Sequence, residues 1–322
     1  MKYITHPNTD ITSSQIALGT DRMGTHLSAD DSFAVLDEFY HLGGNLIDTA
    51  AVYGNWDGGE SSLSEKTIGK WIKDKNIRSK LFISTKGGHH DLNTLKSRLS
   101  RDEILSDINS SLKNLGTDYV DFYFLHRDDK SIPIPEIMDT MLLILKEGKS
   151  RTIGLSNWST ERFEEADEYC RKHGAAVVSS QIQFGLACPN IDVIEPGLEI
   201  MKNSEFEYYS KKDISLFAFS AQSKGYFSKI FSGRELSDKA RVRYKNEKSE
   251  NVYNMLADIC RKTGCDISSL TVSLLLNNPS FCTVPIVGCK NPEQIRTSLG
   301  GADLKISSEI SLEVIKSGLY SA

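Results

Sequence analysis

Four polar side chains stand where apolar runs end. Asp48 closes "NLID", Tyr53 follows in "TAAVYG", Lys86 closes "LFISTK" and His126 closes "VDFYFLH". An ammonium beside a phenol favours the phenolate and draws a tyrosine below its reference pKa of about 10, while a carboxylate beside that ammonium keeps it charged and in place. The phenol then serves as a proton donor near neutrality. A histidine within hydrogen-bond reach of the same point orients a carbonyl oxygen or shares its proton. This set is an acid without a nucleophile or electron source of its own. Each member also has a plainer reading: Asp48 as a helix cap, Tyr53 as a packed ring with a wet hydroxyl, Lys86 as a solvated loop lysine and His126 as a structural histidine.

What joins the four is the pattern of elements that carries them. Strand-like runs occur at 16–20, 45–50, 81–86, 120–126, 151–157, 176–181, 214–220 and 282–288. Between them lie segments with helical spacing. Residues 30–43 place Phe33, Leu36, Phe39 and Leu42 at three-residue steps, and 100–116 opens with Ser100 and Glu103 in a capping-box arrangement. Strands alternating with helices imply parallel βαβ units with right-handed crossovers. Eight such units favour an α/β fold of the (β/α)8 TIM-barrel type over an open doubly wound sheet, which also lacks its GxGxxG after the first strand. Barrel chemistry sits at the C-terminal ends of the strands, so Asp48, Tyr53, Lys86 and His126 converge on one rim. Residues 1–15 read as a short hairpin or plug, 307–318 as a tail helix, and 1–322 as a single domain.

The other strand ends suggest a partner for the acid. Asn157 and Gln181 present amide donors and acceptors that match a carboxamide, and Phe219 offers a flat face for a ring. Gly288, Lys290 and a helix start at Pro292 make a place for phosphate. The polar stretch 232–251 is too long for a turn. With Lys224 it forms either a flap over a pyrophosphate, through Arg234, Lys239, Arg241 and Lys245, or a solvated face balanced by Glu235, Asp238 and Glu247.

Composition narrows the class. The chain has 322 residues, 39% hydrophobic and 25% charged, with a net charge of -5, which gives no reason to expect a nucleic-acid or acidic-membrane partner. The N-terminal segment lacks a signal-peptide core, and no apolar run approaches the roughly 18 residues that span a bilayer, so a cytoplasmic protein is expected. Six cysteines, Cys170, Cys188, Cys260, Cys265, Cys282 and Cys289, include no CxxC pair and read as reduced thiols rather than disulfides or a zinc site.

Taken in order, "GGNLIDTAAVYG", "ISTKGG", "DYVDFYFLHRDD" and "RTIGLSNWS" resemble the signature segments of the aldo-keto reductase superfamily, and among its members the bacterial oxidoreductases. The resemblance implies a barrel that binds NADP(H) without a Rossmann motif and transfers hydride to an aldehyde or ketone. It assigns Tyr53 as general acid, Asp48 and Lys86 as its tuning pair and His126 as the orienting residue. Asn157 and Gln181 would hold the carboxamide, Phe219 would stack where the family commonly has tyrosine, and Ser220 would touch pyrophosphate. Thr20, Ser156, Gln222, Lys224, Gly288, Lys290 and Gln294 complete the candidate cofactor contacts.

Three departures stand out. Asp21 follows Thr20 where many relatives carry a tryptophan, Gln294 is followed four residues on by Ser298 rather than asparagine, and Lys290 replaces a common arginine. A cation at Lys290 suits the 2'-phosphate of NADP(H) as a point charge and favours NADPH over NADH. Trp56, Trp158 and the loops 127–137 and 185–197 are the expected walls of the substrate mouth. Two other readings compete: a metal-dependent hydrolase using Asp48, Glu60, His89, His90 and His126, and a cofactor-binding sensor with little turnover. The substrate's identity and the oligomeric state stay open.

Overall fold

Eight of the apolar runs become parallel strands because each is bounded by residues that stop it. The structure, a computed structural model, describes residues 1–55 and 60–320. A short antiparallel hairpin, β1 (Tyr3–Thr5) and β2 (Thr12–Ser14), precedes the barrel. The barrel strands are β3 (Ala17–Gly19), β4 (Leu46–Asp48), β5 (Phe82–Gly87), β6 (Val120–Leu125), β7 (Ser150–Ser156), β8 (Val177–Gln183), β9 (Ser215–Phe219) and β10 (Cys282–Val287). They pair in chain order, and β10 returns to β3 to close the ring. This is a (β/α)8 TIM barrel.

The main crossover helices are α1 (Ala29–His41), α2 (Leu63–Lys75), α3 (Arg101–Leu115), α4 (Ile134–Lys146), α5 (Thr160–Lys172) and α6 (Asn203–Tyr209). After β9 come α7 (Tyr226–Phe231), α8 (Asp238–Tyr244), α9 (Glu247–Thr263) and α10 (Ile267–Leu276), and the chain finishes with α11 (Pro292–Leu299) and the tail helix α12 (Ser308–Gly318). The capping box of α3 forms as expected, with Ser100 donating its backbone N–H to Glu103 Oε2 at 3.3 Å, and the helix ends at Gly116 with φ 65°. On α1 the buried residues are Ser32, Val35, Leu36 and Phe39. Phe33 and Leu42 are only partly buried, because a step of three drifts off the 3.6-residue face that the sheet covers.

Two apolar cores hold the barrel. One fills the space between helices and sheet; the other, built from Ile11, Ala17, Leu46, Phe122, Phe124, Phe217, Val284 and Ile286, fills the barrel itself. Strand alternation sends Phe122 and Phe124 of β6 inward, each burial contributing about 1.5–3 kcal/mol. Gly154 on β7 admits this core, since a Cβ there would lie 2.4 Å from the Phe124 ring. At the N-terminal end the hairpin plugs the barrel. His6 stacks on Phe217 at 5.9 Å, meets Phe122 edge-on, and shares hydrogen bonds of 2.8 Å with Ser13 and Ser215. The plug leaves the C-terminal rim as the open end.

Most of the stretch 232–245 is exposed and Arg241 pairs with Asp238, as a solvated face would have it, but the segment is also anchored to the barrel. Its helix α8 buries Tyr244, and Asn190 of the loop after β8 binds it twice, donating its N–H to Arg243 O at 2.7 Å and its amide to Val242 O at 2.6 Å. Among the described residues no helix is long and apolar enough to cross a membrane.

Candidate active site

The site is assembled at the C-terminal ends of β4, β5 and β6. Asp48 ends β4, and Ser84 and Lys86 lie two residues apart on the same face of β5. Lys86 is buried, at 1% exposure, and all three of its N–H groups are engaged. They point to Asp48 Oδ2 at 2.7 Å, Thr49 O at 2.7 Å and the Tyr53 hydroxyl at 3.3 Å. Asp48 Oδ1 accepts from Ser84 Oγ at 2.8 Å and from Gln181 Nε2 at 3.0 Å. The carboxylate is thus held by three side chains from two strands, β5 and β8. Burial pulls the Lys86 pKa down, but Asp48 and Tyr53 more than offset it and the net direction is up, so the ammonium is permanent.

Tyr53 departs from the sequence expectation. Burial pushes its pKa up, Lys86 pulls it down, and Asp48 and Asp21 push it up again; the net direction is above its usual value. Desolvation of a phenolate outweighs one neighbouring ammonium that is itself shared with a carboxylate. Tyr53 therefore stays a neutral phenol, which is the form a proton donor must start from.

His126 follows β6, with its backbone N–H on Gly87 O at 2.8 Å. Its ring meets that of Tyr53 in a T-shaped contact at 5.9 Å and that of His89 at 4.8 Å. Burial, then His89, Lys86 and Arg127, hold its pKa well below the usual value, so it is neutral. Its Nδ1 is buried without a hydrogen-bond partner among the described residues.

The candidate cofactor residues spread around the same rim. Asn157, just after β7 with φ 59°, donates to His126 O at 3.3 Å and Ser156 Oγ at 3.0 Å, and accepts from the Glu199 N–H at 3.3 Å. Its remaining capacity is one lone pair. Gln181 keeps its carbonyl oxygen and one N–H after bonding Asp48. Thr20 is buried and gives its hydroxyl to Asp48 O at 3.0 Å, so it braces β3 against β4. Phe219 ends β9 half-buried; Ser220, Ser223 and Lys224 follow in left-handed backbone with φ 56°, 49° and 55°. Gln222 reaches across to Ser298 at 3.0 Å, so Ser298 faces inward. Lys290 and Gly288 are exposed, and Gln294 accepts the Lys290 N–H at 2.9 Å. A Cβ at Gly288 would meet nothing within 4 Å, which leaves open space for a ligand beside the α11 N-terminus.

A cationic group stands between these two ends. Desolvation of the ammonium, then Arg243, hold the Lys224 pKa down, with Lys239 and Arg22 adding to the repulsion and Asp21 opposing it. Arg243 also donates to Gln183 Oε1 at 2.8 Å. Sequence reasoning named Arg234 and Arg241 here, but those bind Ser232 and Asp238 locally. Arg243 was missed, as were Ser84 and Arg127. The two-residue alternation from Lys86 would have found Ser84; nothing local marks Arg243.

Trp158 does not wall the mouth. It is 1% exposed, with Nε1 donating to Arg127 O at 3.2 Å beneath the rim. Trp56 lies outside the described residues. Among the described residues no three His, Cys, Asp or Glu side chains gather as metal ligands. Asp48 is engaged by Lys86, Ser84 and Gln181, and Glu60 pairs with Lys66, so the metal-hydrolase reading has no ligand set here.

A closed barrel with a buried lysine, carboxylate and histidine and a half-buried tyrosine at its C-terminal rim defines a class, and comparison with known proteins names it. The aldo/keto reductase family model matches residues 15–314, and the chain belongs to that family. It is 25% identical, over 96% of its length and 80% of the relative's, to an aryl-alcohol dehydrogenase of Pestalotiopsis microspora. It is 26% identical to the norsolorinic acid reductase of Emericella nidulans, over 96% of this chain and 79% of that one. With the protein Tas of Escherichia coli it shares 25% identity over 98% of this chain and 96% of Tas. The chain is an oxidoreductase of the aldo/keto reductase kind.

Proposed function

We propose that the protein reduces an aldehyde or ketone with NADPH, and runs the alcohol oxidation in reverse, with Tyr53 as the proton donor. One observation carries this reading: the buried Lys86 ammonium bonded at once to Asp48 and to the Tyr53 hydroxyl. Such a lysine stabilises the phenolate left after proton donation, and Asp48 keeps the lysine in place. His126, neutral beside Tyr53, is suited to donate a hydrogen bond to the same carbonyl oxygen and set its angle. The catalytic group is then Tyr53, with His126 orienting and Asp48 and Lys86 tuning.

The rim residues fit a nicotinamide dinucleotide. Gln181 and Asn157 would hold the carboxamide, Phe219 would lie against the ring, and Ser220, Gln222, Lys224 and Arg243 would surround the pyrophosphate. Gly288, Lys290 and Gln294 would take the adenosine end, where the Lys290 charge favours a 2'-phosphate. When bound, the nicotinamide supplies the hydride. Ser156 and Thr20 support from below. We take residues 1–322 as one domain acting on small carbonyl compounds.

The test is a fluorescence titration with NADPH and NADH, followed by steady-state consumption of the preferred one with a panel of aldehydes and ketones. Preference for NADPH and turnover on the panel are expected. Tight binding with no turnover on any carbonyl would replace the reductase reading with a sensor on the same barrel.

A further inference from the structure

The residue after His126 is a half-buried cation to which the proposed reaction gives no role. Arg127 continues from the end of β6 onto the rim, and its charge bears on His126, His89, His90 and Tyr53. Its one hydrogen bond among the described residues runs from Nη1 to the carbonyl of the neighbouring His126 at 3.3 Å, and its Nε is buried with no partner. Arg243 shares this trait, with a buried, partnerless Nε and a bond to Gln183 rather than to an acid, but the remaining half-buried arginines and the exposed Arg151 are all paired with acids. Arg78 and Arg151 share Asp121, Arg98 pairs with Asp107, and Arg162 pairs with Asp128.

The two acids that follow Arg127 in sequence do not neutralise it. Asp128 accepts two hydrogen bonds from Arg162, at 3.0 and 3.1 Å. Asp129 accepts from the Ser131 hydroxyl at 2.6 Å and its backbone N–H at 2.9 Å. Glu195, the acid whose charge bears on Arg127, is exposed at the mouth and makes no ion pair with it among the described residues. Burial pulls the Arg127 pKa down, so the cation is desolvated. A desolvated guanidinium with free donors beside a proton donor is a strong site for a planar anion. It stands on the His126 side of Tyr53, whereas Lys224 and Arg243 serve the loop after β9.

We infer that Arg127 selects the substrate: its guanidinium takes a carboxylate carried on the carbonyl compound that receives the Tyr53 proton, so the substrate class is an aldehyde or ketone bearing an acid group. This rests on the carbonyl-reductase reading. An acid paired with this guanidinium would present its carbonyl on the His126 side of Tyr53. A neutral analogue leaves the cation without a partner, as wherever a site built for a polar group receives a substrate lacking it.

The experiment measures, for the wild type, Arg127→Met and Arg127→Lys, the ratio of kcat/KM for 4-carboxybenzaldehyde to that for 4-methylbenzaldehyde. A ratio taken within one enzyme preparation cancels partial misfolding. The wild type should prefer the carboxylate, the ratio should fall about tenfold to a hundredfold in Arg127→Met, and Arg127→Lys should keep part of it, as a point charge without the fork. A wild type that reduces 4-methylbenzaldehyde but shows the same ratio as Arg127→Met would overturn the role of Arg127 and leave the reductase reading intact. A wild type that binds NADPH and reduces neither aldehyde would overturn both.

Discussion

The Lys86 ammonium lies 3.3 Å from the Tyr53 hydroxyl and also 4.8 Å from the centre of its ring. The lysine therefore touches the phenol near its oxygen and cannot leave without also losing Asp48. This arrangement makes Tyr53 replaceable in shape but not in chemistry. Tyr53→Phe keeps the ring and loses the proton, so carbonyl reduction should fall about 10²- to 10⁴-fold. NADPH affinity, read by fluorescence titration, should stay within a few-fold. Turnover equal to the wild type would remove Tyr53 as the acid.

Asp48 and Lys86 should couple in stability. Lys86→Met strands a buried carboxylate and should destabilise the fold by about 3–5 kcal/mol in urea unfolding. The double variant Lys86→Met with Asp48→Asn removes both charges and should lose less than the two single variants together. Strict additivity would mean that the pair at 2.7 Å contributes no coupling energy.

The pH profile of reduction tests which influence governs Tyr53. The reaction needs the protonated phenol. With the Tyr53 pKa raised and the His126 pKa held well below its usual value, neither group titrates between pH 6 and about 9, and kcat/KM for reduction should be level across that span. The fall should come on the alkaline side, as Tyr53 loses its proton. A midpoint near neutrality would mean that Lys86 prevails over burial in the free enzyme.

The barrel plug makes stability sensitive to acid. Burial lowers the His6 pKa to about 4, so the folded chain leaves His6 neutral where the unfolded chain protonates it, below about pH 6.5. The unfolded state binds more protons in that window, and stability is lost as pH falls from 6.5 towards 4, by roughly 3 kcal/mol from this group. His89, also lowered to about 4, acts in the same direction. His6→Asn should flatten the dependence of unfolding free energy on pH between 7 and 4.5. An unchanged slope would show that His6 does not carry it.

Much of the architecture was legible locally. The eight runs became strands with bounds shifted by a residue or two, because buried parallel strands are continuous apolar segments and their ends carry turn residues. The capping box at Ser100 and Glu103 likewise needs only a four-residue window. Even the grouping of Asp48, Lys86 and His126 followed from topology, since a closed parallel barrel puts every strand's C-terminal end on one rim.

What the tertiary structure decided was how groups distant in sequence share charge and hydrogen bonds. Gln181 reaches Asp48 across 133 residues, and Arg243 reaches Gln183 across 60; no local pattern encodes either contact. The direction of the Tyr53 shift depends on the balance between burial and a lysine shared with Asp48, a balance set by how much of each atom the fold covers. Trp158 could be named from sequence but its place beneath the rim could not. The sequence sets Asp128 and Asp129 directly after Arg127. Only the folded chain, by turning those acids towards Arg162 and Ser131, leaves the guanidinium without a carboxylate beside the acid that Tyr53 supplies.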